Sequence, residues 1–534
     1  MKKNLIYLTA FFCGMSVMAV ELSATRLLAP YFGASMIVWT VTIGIIMISM
    51  SLGNVIGGRA ADRYNSKNRL FSRIWLASLW IAVIPLVGKY IVAVSVLALM
   101  WILPQNLLIA GTVISCLVIF SFPLIILGMV SPYLVKFGIK NMEESGKTTG
   151  RIYALSTIGS IIGTFIPTFL TIPFIGTNKT FLVFAFLLNL ICLYYFITQN
   201  KRIIRTALSG SIILALVFSP IGNSYAFWKK TVLEEESLYN YLQVAENNNS
   251  VILSTNVAFG VQSIYMKNSL LTGLYYDYAI TAPFFIRDMT FDKSLDLLIL
   301  GLGTGTYAKM CKRFFPATHT TGVEIDSKIV DLSKAYFGLK DDEADIHIND
   351  GRTFLSGGDA GKYDVILLDA YHDISIPFHM ATLEFFKEVK SHLKENGLII
   401  LNINMRSQEN NEIIDYLTQT LKQCMNKVYL YKINTITNTL VYASDDINCY
   451  DNFISNTDGI DQSHPLYRSI RYVKDNIREI HEARLTLTDD MAPVEIMGQK
   501  VLDELVSDCI SYYKSQIDSS DKGIWSIFDM LSEY

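Results

Sequence analysis

The sequence predicts a protein of two unlike parts: an α-helical membrane module, then a small β-sheet followed by an open, Rossmann-like α/β domain. Three observations carry this. The first 220 residues are apolar spans broken by short basic loops, whereas the remainder has an ordinary soluble composition. Residues 91–135 contain no Lys, Arg, Asp or Glu, a run longer than the ~20 residues one bilayer crossing requires. From residue 295 onward, short apolar strands end in glycine or acid residues, as strands do along the ligand-binding edge of an open α/β sheet.

Spans are predicted at 5–25, 36–57, 74–98, 107–134, 152–174, 180–198 and 205–220, about seven in all. Three intervening loops are basic: Arg59, Arg63, Lys67, Arg69 and Arg73; then Lys136, Lys140, Lys147 and Arg151; then Lys201, Arg202 and Arg205. The positive-inside rule puts these loops and the N-terminus in the cytoplasm. If every span crosses, the C-terminal region emerges on the far side, away from cytosolic nucleosides. Two ways out are a shallow or re-entrant 205–220 segment, and two short crossings within 74–104. The C-terminal region is therefore expected in the cytoplasm, on chemical grounds. Glu21, near the end of the first span, reads either as a functional acid at membrane depth or as half of an interfacial pair with Arg26.

Between 225 and 290, the pieces 242–244, 251–253 and 260–266 alternate or run apolar, with a turn at Asn247–Ser250, and predict a small antiparallel sheet. Parallel strands are expected at 295–300, 319–324, 344–349, 363–369 and 397–403, separated by helical periods such as 327–338 and 380–395. A hairpin of 428–431 with 439–442 closes the sheet. The tail from 452 reads as largely helical, broken at Asp489–Pro493. The expected division is a membrane module at 1–222, a small β subdomain at 223–290, a nucleoside-binding domain at 291–450 and a helical extension at 451–534.

The net charge of −3 argues against a nucleic-acid role resting on bulk electrostatics. The 7 cysteines are scattered without a CxxC pair, which suits buried packing rather than a disulfide framework or a zinc site. No metal is expected.

The candidate site lies at the strand ends. After the strand 297–300, Gly301-Leu302-Gly303-Thr304-Gly305 lets the backbone approach a ligand and aims amide N–H groups at it. Glu324, ~20 residues on, is placed to accept both ribose hydroxyls, and Asp326 follows it. Asp350, with Gly351, is placed for a donor such as an adenine amino group. This set favours S-adenosylmethionine-type nucleosides over NAD; helix capping by the same acids is the structural alternative. Asp369 ends an apolar strand beside the place for a sulfonium and suits activation of an incoming amine. Asp373 is a candidate for holding a cationic substrate, and Tyr275, Tyr276, Tyr278 and Tyr371 for walling a cation, with core packing as the plainer reading of each tyrosine.

The ordered set Gln262, Tyr275-Tyr276-Asp277, Gly301–Gly305, Val323-Glu324-Ile325-Asp326, Asp350-Gly351 and Asp369 resembles spermidine synthase, a polyamine aminopropyltransferase, over about 235–445. The membrane part, with Gly57-Gly58-Arg59-Ala60-Ala61-Asp62-Arg63, resembles the multi-span half of membrane-fused members of that family. Asp369–Pro377 and Leu487–Pro493 resemble further motifs of the fused proteins. The resemblance implies a class I S-adenosylmethionine-dependent transferase fold. It assigns Glu324 to the ribose, Asp350 to the adenine, Gln262 to the sulfonium nucleoside and Asp369 to amine activation. It also implies decarboxylated S-adenosylmethionine as co-substrate and an amine such as putrescine as acceptor.

Two positions depart from the family pattern. Thr304 replaces an Asp that binds the aminopropyl amine, and the second loop acid, Asp373, is four residues after the first rather than three and is followed by Ile374 instead of Pro. Ordinary S-adenosylmethionine, or another amine, is therefore an open alternative. The Gly58–Arg63 loop also resembles the first cytoplasmic loop of major-facilitator transporters, which keeps a polyamine carrier or sensor in view. The expected partners are a small amine and the lipid bilayer, with the small sheet suited to pairing two copies.

Overall fold

The computed structural model describes residues 3–102, 107–139, 141–220, 224–226, 231–256, 261–358, 361–370, 376–404, 411–498 and 501. The apolar runs form long helices, which close their backbone hydrogen bonds within themselves. In chain order these are α1 (Lys3–Phe32), α2 (Met36–Arg63), α3 (Lys67–Ile102), α4 (Leu107–Gly128) and α5 (Val130–Gly138). Next come α6 (Ser145–Ile166), which passes through a π-helical turn at Pro167–Thr171 into α7 (Ile172–Ile175), then α8 (Thr177–Thr198) and α9 (Ile203–Phe218). With α4–α5 and α6–α7 each taken as one rod, 6 helices among the described residues are long and apolar enough to cross a membrane. The seventh, α9, is apolar but only 16 residues long.

Two alternatives weighed from the sequence fail. α3 is one 36-residue helix with Pro85 inside it, not two short crossings. α9 does not lie apart at an interface: Ser209 Oγ accepts from Trp75 Nε1 of α3 (3.0 Å) and from Asn189 Nδ2 of α8 (2.9 Å), which seats the helix against both. Nor is Glu21 ion-paired with Arg26, whose guanidinium instead donates to Leu238 O.

Neighbouring spans touch backbone to backbone at small residues. A Cβ on Gly159 or Gly163 of α6 would stand 2.0 or 2.1 Å from Phe11 O or Met15 O of α1, and one on Gly53 of α2 would stand 2.3 Å from Ile125 O of α4. Outward-facing Met47, Ile48, Leu52, Phe165 and Phe169 are large, apolar and exposed, a surface suited to lipid.

The small sheet has four strands, β1 (Leu233–Glu236), β2 (Tyr241–Glu246), β3 (Ser250–Ser254) and β4 (Ser263–Met266), antiparallel and in that order. Its β2–β3 turn is capped by Asn247 Oδ1, which accepts from the amides of Asn249 (2.9 Å) and Ser250 (2.7 Å). β1 was not anticipated, because Leu-Glu-Glu-Glu carries no apolar alternation.

After a short helix, α10 (Tyr276–Ala279), the chain alternates strand and helix. β5 (Leu295–Leu300), α11 (Thr306–Phe314), β6 (Thr318–Glu324), α12 (Ser327–Ala335) and β7 (Asp345–Ile348) come first. They are followed by α13 (Gly351–Ser356), β8 (Tyr363–Leu368), α14 (Leu383–Ser391), β9 (Leu393–Ile403) and α15 (Glu412–Lys422). The antiparallel pair β10 (Lys427–Lys432) and β11 (Thr439–Ser444) follows, then α16 (Cys449–Thr457), α17 (Tyr467–Asn476) and β12 (Arg478–Glu479).

The main sheet has 8 strands in the order β12-β10-β11-β9-β8-β5-β6-β7, and β5 to β9 are parallel. The chain winds outward from β5 to β7 and then returns to place β8 on the other side of β5. That reversal opens a crevice at the carboxyl ends of β5 and β8. The expected helical tail is helical at α16, at α17 and again at residues 494–498; between them the chain has little regular structure beyond β12 and a Thr488–Met491 bridge, so the predicted break at 489–493 is present.

Candidate active site

A cavity opens at this switch point, lined among others by Gln262, Tyr276, Gly301, Gly303, Glu324, Asp350, Gly351 and Asp369. Gly301 follows β5 with φ +92°, and a Cβ there would lie 2.5 Å from Asp369 O, so the turn and the end of β8 touch through a position only glycine fills. Gly303 N donates to Glu324 Oε2 (2.9 Å) and Asp326 N to Glu324 Oε1 (3.1 Å). Burial lifts the Glu324 carboxyl to about 6, against the opposing pull of those amides. A carboxylate has roughly four acceptor positions, so these amides leave Glu324 with capacity to accept from a ligand.

Asp350 caps α13: its Oδ1 accepts from Thr353 N (2.9 Å) and Thr353 Oγ1 (3.0 Å), while Oδ2 lies 3.3 Å from His379 Nε2. Burial alone would raise its carboxyl, but the Thr353 and His379 contacts outweigh burial and hold it below the ordinary range. Capping and lining the cavity are thus done by one side chain. Behind it, Arg352 of α13 grips Asp489 with both ends of its fork, Nη1–Oδ1 at 2.8 Å and Nη2–Oδ2 at 2.7 Å, and also donates to His379 O (2.9 Å). The Leu487–Pro493 motif is therefore a clamp on the Asp350 helix and on His379.

Asp369 ends β8 with both oxygens occupied: Tyr275 OH donates to Oδ2, and Asn402 Nδ2 to Oδ1 at 2.8 Å. Asn402 is itself oriented by Asn438 Nδ2, 2.9 Å from its Oδ1. Burial, then the Asp369 charge, push the Tyr275 hydroxyl well above its ordinary range, so it stays a donor at neutral pH. Gln262, Tyr276 and Asp369 meet at this end, with the Tyr275 and Tyr276 rings 4.0 Å apart.

Five predicted residues do not line the cavity; one, Tyr278, packs against Tyr431 and Tyr472 instead. Tyr275 acts behind Asp369. Asp277 caps its own turn, accepting from Thr272 N (2.7 Å), Thr272 Oγ1 (2.8 Å) and Gly273 N (2.7 Å). Asp326 caps α12 through Lys328 N (3.1 Å) and ties α12 to the small sheet through Ser237 Oγ and Asn240 Nδ2 (3.0 Å). Gly305, at φ +78°, packs against Leu339. Asp373 and Tyr371 fall outside the described residues. Sequence reasoning missed His379, Asn402 and Asn438; Asn402, the one polar residue in the apolar stretch 398–403 of β9, was the one visible signal.

Residues 288–444 match the family model for the spermine/spermidine synthase domain. A probable polyamine aminopropyl transferase of Bifidobacterium longum is 38% identical over 346 residues, covering 60% of this chain and 74% of that protein. A polyamine aminopropyltransferase of Vibrio vulnificus is 26% identical over 42% of this chain and 74% of its own length. Among solved structures, a probable spermidine synthase from Corynebacterium glutamicum aligns with 18% identity over 48% of this chain and 91% of its own, with a TM-score of 0.35. With a relative this similar across most of its length, the chain belongs to the polyamine aminopropyltransferase family and is a transferase.

Proposed function

We propose that the protein is a membrane-embedded aminopropyltransferase that moves an aminopropyl group from decarboxylated S-adenosylmethionine to an amine such as putrescine. The observation that carries this reading is Asp369: a carboxylate at the tip of β8, oriented from both sides by Tyr275 and Asn402, in the cavity that Glu324 and Asp350 also line. Glu324 would accept the ribose hydroxyls and Asp350 the adenine amino group. Gln262 would contact the sulfonium nucleoside, and Gly301 and Gly303 let the backbone approach it. The amine lone pair attacks the methylene carbon bound to sulfur, the C–S bond breaks with its electrons on sulfur, and a neutral thioether leaves. The proton lost by the attacking nitrogen passes to Asp369, which also holds that nitrogen in line. The 6 long apolar helices support the bilayer as the setting.

A second reading, methyl transfer from ordinary S-adenosylmethionine, is favoured by Thr304. This residue is 1% exposed and lines a separate cavity with Lys309 and Lys340, so the glycine turn offers no carboxylate to a terminal ammonium. Calorimetric titration of the full chain in detergent with each nucleoside, followed by turnover with putrescine, separates the readings. Tighter binding of the decarboxylated form and aminopropylated product support the first. Methylated product supports the second, and binding of neither nucleoside sinks both.

A further inference from the structure

The helical bundle has two ends of opposite character, and the sheets sit on only one of them. The three basic loops gather at the first end. There Lys136 Nζ lies 3.0 Å from Asp62 Oδ1, Arg73 Nη1 donates to Tyr133 OH (3.1 Å), Tyr195 OH donates to Asn68 Oδ1 (2.6 Å), and the Arg202 guanidinium donates to Ser72 Oγ. The second end meets the α/β region. Thr177, which opens α8, bonds Glu236 of β1 through its amide (2.5 Å) and hydroxyl (2.6 Å). Tyr31 OH donates to Tyr225 O (2.7 Å), Lys89 Nζ to Ser224 O (3.0 Å), and Met36 N to Glu495 Oε2 (3.2 Å).

The distance between the ends is set by the helices. α8 starts against Glu236 and reaches the basic end 22 residues later. At ~1.5 Å per residue this is about 33 Å, matching a hydrocarbon core of ~30 Å. Among the described residues up to 220, the docking end carries Arg26, Lys89 and Lys179, and the other Lys and Arg lie toward the basic end. Because α9 packs along α3 and α8 instead of skimming an interface, the chain returns to the docking end before the sheets begin.

We infer that the catalytic cleft works on the extracytoplasmic face of the membrane. The Lys/Arg-rich short loops are the ones retained in the cytoplasm, and a bilayer's thickness separates them from the sheets. This rests on the proposed membrane setting of the bundle. It replaces the expectation of a cytoplasmic C-terminal region, which followed from where nucleosides are made rather than from charge. The cleft then draws its acceptor amine from the side opposite the basic loops, and the sulfonium nucleoside must be delivered to that side.

Single cysteines test this in the full chain, with Cys424 and Cys509 changed to Ser and the other cysteines buried. Asn248→Cys and Glu482→Cys report on the sheets; Asn65→Cys and Gln199→Cys report on the basic end. A membrane-impermeant maleimide is expected to label the first pair in intact spheroplasts and the second pair only after permeabilisation, with the pattern exchanged in inverted vesicles. The reverse pattern overturns the inference. If all four label alike in intact spheroplasts, the sidedness also falls. Alkaline carbonate then shows whether the membrane reading falls with it (chain released) or stands (chain retained).

Discussion

The bundle and the α/β region are held together by different means, and each exposes a different kind of information. In the bundle every span closes its own backbone hydrogen bonds, so association rests on close contact at Gly53, Gly159 and Gly163 and on a few polar bonds such as Trp75–Ser209. In the α/β region the strands need one another's hydrogen bonds, and strand order follows from short right-handed crossovers. The bundle is therefore expected to tolerate local substitution on its exposed apolar face and to fail at small-residue contacts. The α/β region concentrates its chemistry where two strand ends diverge.

The sharpest break between the two should come from Asp369→Asn. Turnover is expected to fall by about 10²–10⁴, while calorimetric affinity for the nucleoside and the bundle's thermal midpoint hold. A variant with undiminished turnover removes Asp369 from the reaction. Glu324→Gln strikes binding instead: losing a charge-assisted acceptor, worth roughly 1.5–3 kcal/mol, should weaken the nucleoside about ten- to a hundredfold. The pH dependence has a definite sign. In the proposed role Glu324 must be ionised to accept the ribose hydroxyls, so affinity in the native chain should decline as pH drops through about 6, and titrations across that range check it.

Gly163→Leu probes the other half. Forcing a side chain against Met15 O is expected to cost about 1–3 kcal/mol, visible as a lower thermal midpoint in detergent with nucleoside affinity retained; lost affinity would mean the two parts are coupled. The smallest effect belongs to Asp489→Asn. The Arg352 fork holds the Asp489 carboxyl down to about 2, so its contribution is whole above about pH 4 and drains away as pH falls toward 2. The pair is partly exposed, with the Asp489 side chain 42% accessible, so screening keeps its worth to about 1 kcal/mol or less. Urea midpoints of native and variant chains should converge in acid.

Much of the site was legible because strand ends carry short signatures. An apolar run followed by Gly301-Leu302-Gly303, or by Asp369, marks the carboxyl edge of a parallel sheet wherever it lies in the chain. What was not legible is which atom of each acid is already committed. Asp326 and Asp277 resemble Glu324 and Asp369 as letters, yet both spend their oxygens on backbone amides and a neighbouring turn. His379, Asn402 and Asn438 reach the site from other strands and loops, and no local pattern predicts that convergence.

Composition and periodicity alone determined that apolar helices precede an α/β sheet, and where its cavity-lining strand tips fall, because solvent preference and backbone bonding act residue by residue. Only the tertiary structure decided that α9 rejoins the bundle and that all basic loops share the end remote from the sheets. Helix direction and docking depend on contacts between residues far apart in the chain.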